Sequence, residues 1–117
     1  MEKQSENLKD YFDHDALVER LGGNEEIVEE LMQTFLESTE EDLETLSNLI
    51  ENENSKEISI VAHKLKGRIL NMSMSKEASD AAKFLELNAD KMTVEEMKAK
   101  SSIVEKIFLQ IKKLYKN

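Results

Sequence analysis

Cysteine, proline and tryptophan are absent from this 117-residue sequence, and only three glycines occur. Without cysteine the chain has neither disulfides nor thiolate metal sites, which fits a reducing compartment. Sheet proteins need turn residues every few positions, and aromatic residues, which favour strands, make up only 5% of the chain. The sequence therefore predicts an all-α protein, and its length fits a single domain.

Basic residues are scarce in the first half of the chain. Residues 1–54 carry 17 acidic and 3 basic side chains, whereas residues 55–117 carry 8 acidic and 13 basic ones, and the net charge is −9. Because phosphate contacts need clustered Lys and Arg, this balance argues against nucleic-acid binding. The asymmetry instead predicts that an acidic part of a bundle lies against a basic part.

Long apolar runs are also missing. No segment approaches the roughly 18 apolar residues of a membrane span. Residues 1–10 are charged and lack the apolar core of a signal peptide. We therefore expect a cytoplasmic protein without membrane contact, with a flexible segment at residues 1–11 and one domain at residues 12–117.

Apolar residues instead recur every three or four positions, the spacing of amphipathic helices. Ser38 and Glu41 match a capping box that would break the longest stripe, but the stripe continues past them and predicts one long helix. The pattern predicts an antiparallel up-and-down four-helix bundle with a short extra N-terminal helix. The four stripes are Val28, Met32, Phe35, Thr39, Leu43, Leu46 and Ile50; Ile58, Ala62, Leu65, Ile69 and Met72; Ala78, Ala81, Ala82, Leu85 and Ala89; and Val94, Met97, Ser101, Val104, Phe108, Ile111 and Tyr115.

Helix starts are marked by capping residues. Asp13 is placed to cap a short helix over residues 16–21, which the glycine pair at 22–23 ends, and Asn24 caps the long helix that follows. Ser75 is the predicted cap of the fourth helix. Thr93 and Glu96 form a capping box ahead of the last helix.

Two histidines are the candidates for chemistry at neutral pH. His14 lies between two aspartates at a helix start and is interpreted as a solvated residue. No Glu-x-x-His pair is present, so the ligand spacing of a bundle metal site is missing, and neither metal nor cofactor is expected. His63 lies at roughly 160° from the centre of its helix's buried face when each residue advances about 100°, so it should face solvent.

The neighbours of His63 each have a physical use. Gly67, one turn later, costs about 1 kcal/mol relative to alanine in a helix, yet it leaves the ring open to a bulky partner. Lys66 is placed to pair with negative charge on the ring, and Lys64 and Arg68 extend the positive run. These residues fit an imidazole that accepts a phosphoryl group. They also fit an ordinary polar helix face, and the local pattern alone leaves both open.

The segment Ala62-His63-Lys64-Leu65-Lys66-Gly67 resembles the Ala-His-x-Leu-Lys-Gly signature of histidine-containing phosphotransfer (HPt) domains. The resemblance covers roughly residues 12–90. It implies a four-helix bundle in which His63 carries a phosphoryl group to or from an aspartate on a response-regulator receiver domain. Lys66 would then steady that group and Gly67 would admit the receiver. It also implies a sensor or hybrid histidine kinase as a partner, no kinase activity in this chain, and Mg²⁺ supplied by the receiver.

The chain departs from the family pattern after the signature glycine. Small residues are usual there, whereas this sequence has Arg68, Ile69 and Leu70. These residues motivate an alternative function, a non-catalytic bundle that binds and sequesters a receiver or kinase.

Two apolar residues flank His63 on the same helix. Ile60 and Leu70 could form a docking patch beside Lys64, or neighbouring helices could cover them. The acidic composition and the expected self-contained core favour a monomer.

Overall fold

The computed structural model of the chain describes residues 7–72 and 74–115. Within these residues the protein is all-α, with five α-helices and no strand. Short 3-10 turns occur at Leu8–Asp10 and Ala89–Lys91. No helix in this part of the chain combines the length and the hydropathy that crossing a membrane requires. The helices are α1 (His14–Arg20), α2 (Glu25–Glu51), α3 (Ser55–Asn71), α4 (Lys76–Asn88) and α5 (Val94–Tyr115).

Most of the predicted caps are present. Asp13 and Asn24 accept backbone N–H bonds in the first turns of α1 and α2. Thr93 and Glu96 exchange the two hydrogen bonds of a capping box ahead of α5. Ser75 precedes α4 as predicted, but its side chain makes no capping hydrogen bond. The helix starts are therefore largely local decisions, made by side chains within three residues of the amides that they satisfy.

The α2 helix runs through 27 residues without a break. Ser38 and Glu41 do not interrupt it, because the apolar stripe on both sides of them stays in one core. The prediction of a single long helix is confirmed. The buried residues of α2 are Val28, Met32, Phe35, Leu36, Thr39, Leu43, Leu46 and Ile50.

Helices α2 to α5 form the predicted antiparallel bundle, in which each helix packs against the next and α5 returns to α2. Phe35 on α2 meets Phe108 on α5 edge to face, with ring centroids 6.1 Å apart. The short α1 buries Leu17 against this core. Since each fully buried Leu or Ile contributes about 1.5–3 kcal/mol, the core holds the helices as a rigid frame for their outward-facing side chains.

The chain before α1 is tied to the connection between α3 and α4. The Ser75 amide donates a hydrogen bond of 2.8 Å to the Tyr11 carbonyl, and Phe12 is buried. Residues 1–6 of the predicted flexible segment lie outside the described residues. The remainder of that segment forms the Leu8–Asp10 turn.

Candidate functional site

His63 lies on the outward face of α3. Its side chain is 69% exposed. The neighbouring residues Ala62 and Leu65 are buried in the core and fix the rotation of α3 about its own axis. The imidazole is therefore presented to solvent in the orientation that the apolar spacing predicts.

A single carboxylate joins His63 and Lys66. Oε2 of Glu86 lies 2.6 Å from Nδ1 of His63, and Nζ of Lys66 donates to Oε1 of Glu86 at 2.7 Å. Glu86 comes from α4, and its side chain is only 17% exposed. One oxygen of the carboxylate thus contacts the ring, and the other contacts the ammonium group.

The bridge keeps the carboxylate ionised and selects the tautomer of a neutral ring. The hydrogen bond from Lys66, with a smaller contribution from His63, holds the pKa of Glu86 below its ordinary value, against an opposing effect of burial. An ionised carboxylate can only accept, so Nδ1 of a neutral His63 carries the proton and donates it. Nε2 is then left with its lone pair on the solvent side of the ring.

Close packing of α3 and α4 allows a glutamate to reach across to both side chains. Ala78 and Ala82 are fully buried in α4, and their single methyl groups let a neighbouring helix approach. The Ser59 hydroxyl also donates a hydrogen bond of 2.7 Å to the backbone carbonyl of Glu86. The backbone and the carboxylate of Glu86 are therefore both fixed against α3.

Gly67 follows His63 by one turn and has no structural reason to be glycine. A Cβ added at this position would meet no atom within 4 Å, and the residue does not have a positive φ. Packing within the chain would therefore accept alanine here. The missing side chain leaves open space next to the His63 ring.

The other two cations of the positive run belong to a different cluster. Arg68 forms an ion pair with Asp42 of α2, and Nζ of Lys64 lies 3.7 Å from the same carboxylate. Asp42 is mostly buried, and Arg68 is partly so. The run therefore divides by helix face: Lys66 turns toward α4 and the His63 ring, while Lys64 and Arg68 turn toward α2.

The residues after Gly67 differ in their exposure to solvent. Ile69 is fully buried in the core, whereas Leu70 is 57% exposed. Ile60, on the other side of His63 along α3, is 51% exposed. Neighbouring helices therefore do not cover Ile60 or Leu70, and apolar surface lies on α3 both before and after the histidine.

The sequence pattern does not mark two acidic residues of these clusters as site residues. Glu86 and Asp42 lie 23 and 26 residues from His63 and Arg68 along the chain. The one available signal for Glu86 is its place directly after Leu85, which sets it at the edge of the buried stripe of α4. His14 also differs from expectation, because it is half-buried and its ring packs against Phe12.

A family model described as Hpt domain matches residues 30–116. The match covers most of the chain and includes the bundle helix that carries His63. The chain belongs to the Hpt domain family. A search of curated proteins and a search of solved structures each find no match.

Membership of the family assigns a general role to this bundle. Hpt domains act in phosphorelays as histidine phosphotransfer carriers and not as kinases, and they interact with receiver domains and kinases. The Hpt match extends beyond the resemblance noted in the sequence, since it reaches through α5. The last helix is therefore part of the family fold.

Proposed function

We propose that His63 is the phosphoryl carrier of this Hpt domain and exchanges the group with an aspartate of a response-regulator receiver domain. The observation that supports this most directly is the exposed imidazole whose Nδ1 is held by an ionised Glu86, with an unfilled glycine position one turn later. A ring held in this way offers its unprotonated Nε2 as the nucleophile.

The reaction is a phosphoryl transfer between an acyl phosphate and an imidazole. Nε2 of His63 attacks the phosphorus of the aspartyl phosphate, the N–P bond forms, and the P–O bond to the aspartate carboxylate breaks. The proton stays on Nδ1, so the phosphorylated ring is cationic. Glu86 stabilises that cation from 2.6 Å and acts as a positioning residue for the ring. The receiver would supply Mg²⁺, and its charge would offset that of the transferred group.

Lys66 would move from one anion to another during transfer. In the unphosphorylated protein its ammonium group is held by Oε1 of Glu86. A phosphoryl group on Nε2 brings about two further negative charges to the same ring, and a lysine side chain has the reach to contact them. Lys66 therefore steadies the phosphoryl group, while Glu86 keeps its contact with His63.

The surface around His63 suits a docking protein. Gly67 allows a partner's backbone to approach the ring, and Ile60 and Leu70 offer apolar contacts on either side along α3. Lys64 is more than half exposed and can meet an acidic receiver surface, although it lies near Asp42. These four residues form the partner-binding surface in this proposal.

The alternative of a bundle that sequesters a receiver without transfer rests on the bulky residues after Gly67. Ile69 is in the core and Arg68 is held against α2, so neither stands over the ring. Only Leu70 adds exposed bulk. The geometry therefore supports transfer over simple sequestration.

Phosphorylation can be tested without a cognate kinase. The protein is treated with phosphoramidate, a small phosphoryl donor to histidine, and the product is examined by ³¹P NMR and by its stability in acid and alkali. We expect one acid-labile, alkali-stable phosphate and none in His63→Gln. The phosphoprotein is then mixed with receiver domains and Mg²⁺, and loss of the label from His63 with gain on a receiver is followed.

His14→Gln is the matched control, because it removes the other histidine. It should leave both phosphorylation and transfer unchanged. A label that persists in His63→Gln would contradict the proposal. Tight binding of a receiver without any transfer, unaltered by His63→Ala, would favour sequestration instead.

A further inference from the structure

A second surface lies on the opposite side of the bundle from His63. The His63–Glu86 contact joins α3 to α4, whereas α2 and α5 pack together across the bundle. Two adjoining cavities of about 330 and 160 Å³ follow this α2–α5 seam, and both are lined by Ser47 and Glu105. We call this surface the α2–α5 groove.

The floor of the α2–α5 groove is apolar. Leu43 and Phe108 are buried beneath it, and Leu109 stands beside it with 48% of its surface exposed. Ser47, Ser101 and Ser102 contribute only short side chains to the wall of the smaller cavity. The groove is open to solvent along the two helices, a shape that suits a third helix laid along it.

The rim of the groove carries uncompensated negative charge. Ion pairs close the seam at its two ends: Lys112 with Glu40 at 3.1 Å, and Lys98 with Glu51 at 2.8 Å. Between them, Glu44 on α2 and Glu105 on α5 line the same cavity. Neither forms an ion pair with any residue in the described part of the chain. Lys98 also lines the smaller cavity, but it is paired with Glu51, so Glu44 and Glu105 are two like charges that face one groove without an ion-pair partner among the described residues.

The α2 helix, which forms one wall of the groove, adds to this negative charge. α2 contains ten acidic residues and no basic one over residues 25–51. Charge of one sign along a groove with an apolar floor raises the local concentration of a cationic partner and orients it. Membranes and nucleic acids are anionic and would be repelled.

We propose that the α2–α5 groove binds a basic amphipathic helix of a partner protein. Apolar side chains of that helix would cover Leu109 and the floor, and a lysine or arginine beside them would lie between Glu44 and Glu105. A second copy of this chain is disfavoured as the occupant, because a two-fold interface on this face would bring the acidic rims of both copies together. The partner could bind while a receiver occupies the His63 face.

The probe for this proposal is a synthetic, lactam-stapled helix of about four turns with leucines on one face and lysines beside them. It is titrated into the ¹⁵N-labelled full chain, and backbone amide shifts are followed by NMR. We expect the shifts to cluster at residues 43–47 and 101–109. Binding should weaken about fivefold between roughly 50 and 500 mM NaCl, because the rim contacts are ionic. A companion peptide with glutamates in place of the lysines should not bind.

Two double variants distinguish an effect of the groove on peptide binding from an effect of the protein's net charge. Glu44→Gln with Glu105→Gln should weaken peptide binding about fivefold. Glu57→Gln with Glu77→Gln makes the same charge change on α3 and α4 and should leave binding unchanged. Leu109→Ala tests the apolar contact independently and should also weaken binding. Far-UV circular dichroism checks that each variant is folded.

Four results would overturn the proposal. They are no localised shifts at millimolar peptide, shifts confined to the α3–α4 face, equal binding of the glutamate peptide, and groove shifts that depend on protein concentration without any peptide. The last result would assign the groove to self-association. None of these outcomes bears on phosphorylation of His63, which is measured separately.

Discussion

Oε2 of Glu86 lies 2.6 Å from Nδ1 of His63, and the contact crosses from α4 to α3. The same carboxylate holds Lys66 through its other oxygen. The proposed nucleophile and the ammonium group that would steady the phosphoryl group are therefore both held by one residue, which in this proposal does not touch that group. Disturbing Glu86 should affect the ring and the ammonium group together.

Replacement of Glu86 should slow phosphotransfer without unfolding the bundle. Glu86→Gln keeps an oxygen that can accept from Nδ1 but loses the charge that stabilises the cationic ring, so we expect transfer to slow about tenfold. Glu86→Ala should slow it further. Rapid-quench measurement of transfer from a phosphorylated receiver gives the rates, and ¹⁵N NMR of the imidazole reports the position of its proton.

Glu77→Gln is the matched control for Glu86, since it lies exposed in the first turn of α4. It should leave the rate unchanged. Equal rates for Glu86→Ala and the unaltered protein, with an unchanged imidazole spectrum, would show that the carboxylate has no positioning role.

Replacing Gly67 by alanine should raise the free energy of unfolding and lower the rate of phosphoryl transfer. An added Cβ meets open space, so Gly67→Ala should raise the free energy of unfolding by about 0.5–1 kcal/mol. Gly67→Gln should also leave the bundle stable, but its side chain would stand beside the ring and slow transfer about tenfold or more. Urea denaturation and transfer kinetics on the same samples measure both effects.

For the Gly67 series, transfer by Gly67→Ala should fall between the unaltered protein and Gly67→Gln. Unchanged kinetics in Gly67→Gln would remove the argument that this glycine admits a partner.

The Asp42 cluster should matter for stability and not for the reaction. Asp42→Asn leaves the partly buried guanidinium of Arg68 without its anion, so we expect a loss of about 1–2 kcal/mol in the free energy of unfolding. Asp42→Asn with Arg68→Met should recover much of that loss. The rate at which phosphoramidate phosphorylates His63 should change less than twofold. A larger change would show that the Asp42 cluster affects the contacts of His63 with Glu86.

Tyr115 should give the protein a pH-dependent stability at high pH. Burial, aided by its 2.5 Å hydrogen bond to Glu29, raises the pKa of Tyr115 from 10.0 to about 12. A raised pKa stabilises the fold fully below pH 10, and the stabilisation is lost as pH rises toward 12. Urea denaturation between these pH values should show the unaltered protein losing stability relative to Tyr115→Phe.

Absorbance titration in a Tyr11→Phe background should follow Tyr115 alone. Its midpoint should lie near pH 12 and should fall in Glu29→Gln, while part of the shift due to burial remains. A midpoint near 10 in the folded protein would contradict the contact with Glu29 and the burial of the ring.

Interactions between residues that are close together in the chain explain the features that the sequence alone predicts. Asp13 and Asn24 cap their helices because the amides that they satisfy are three residues away. The α2 stripe outweighed the capping-box match at Ser38, since a break there would have turned half of the apolar face away from the core. The signature around His63 and Gly67 was readable for the same reason, because its six residues lie within about one and a half turns of a single helix.

The sequence by itself determined the helices, the bundle class, the outward direction of His63 and the family resemblance, because each depends on spacing along one stretch of chain. Only the tertiary structure decided which ions pair. Lys66 joins His63 at Glu86, while Lys64 and Arg68 turn to Asp42. The division follows from the packing of α4 and α2 against different faces of α3, which brings together charges that lie 20 or more residues apart in the chain.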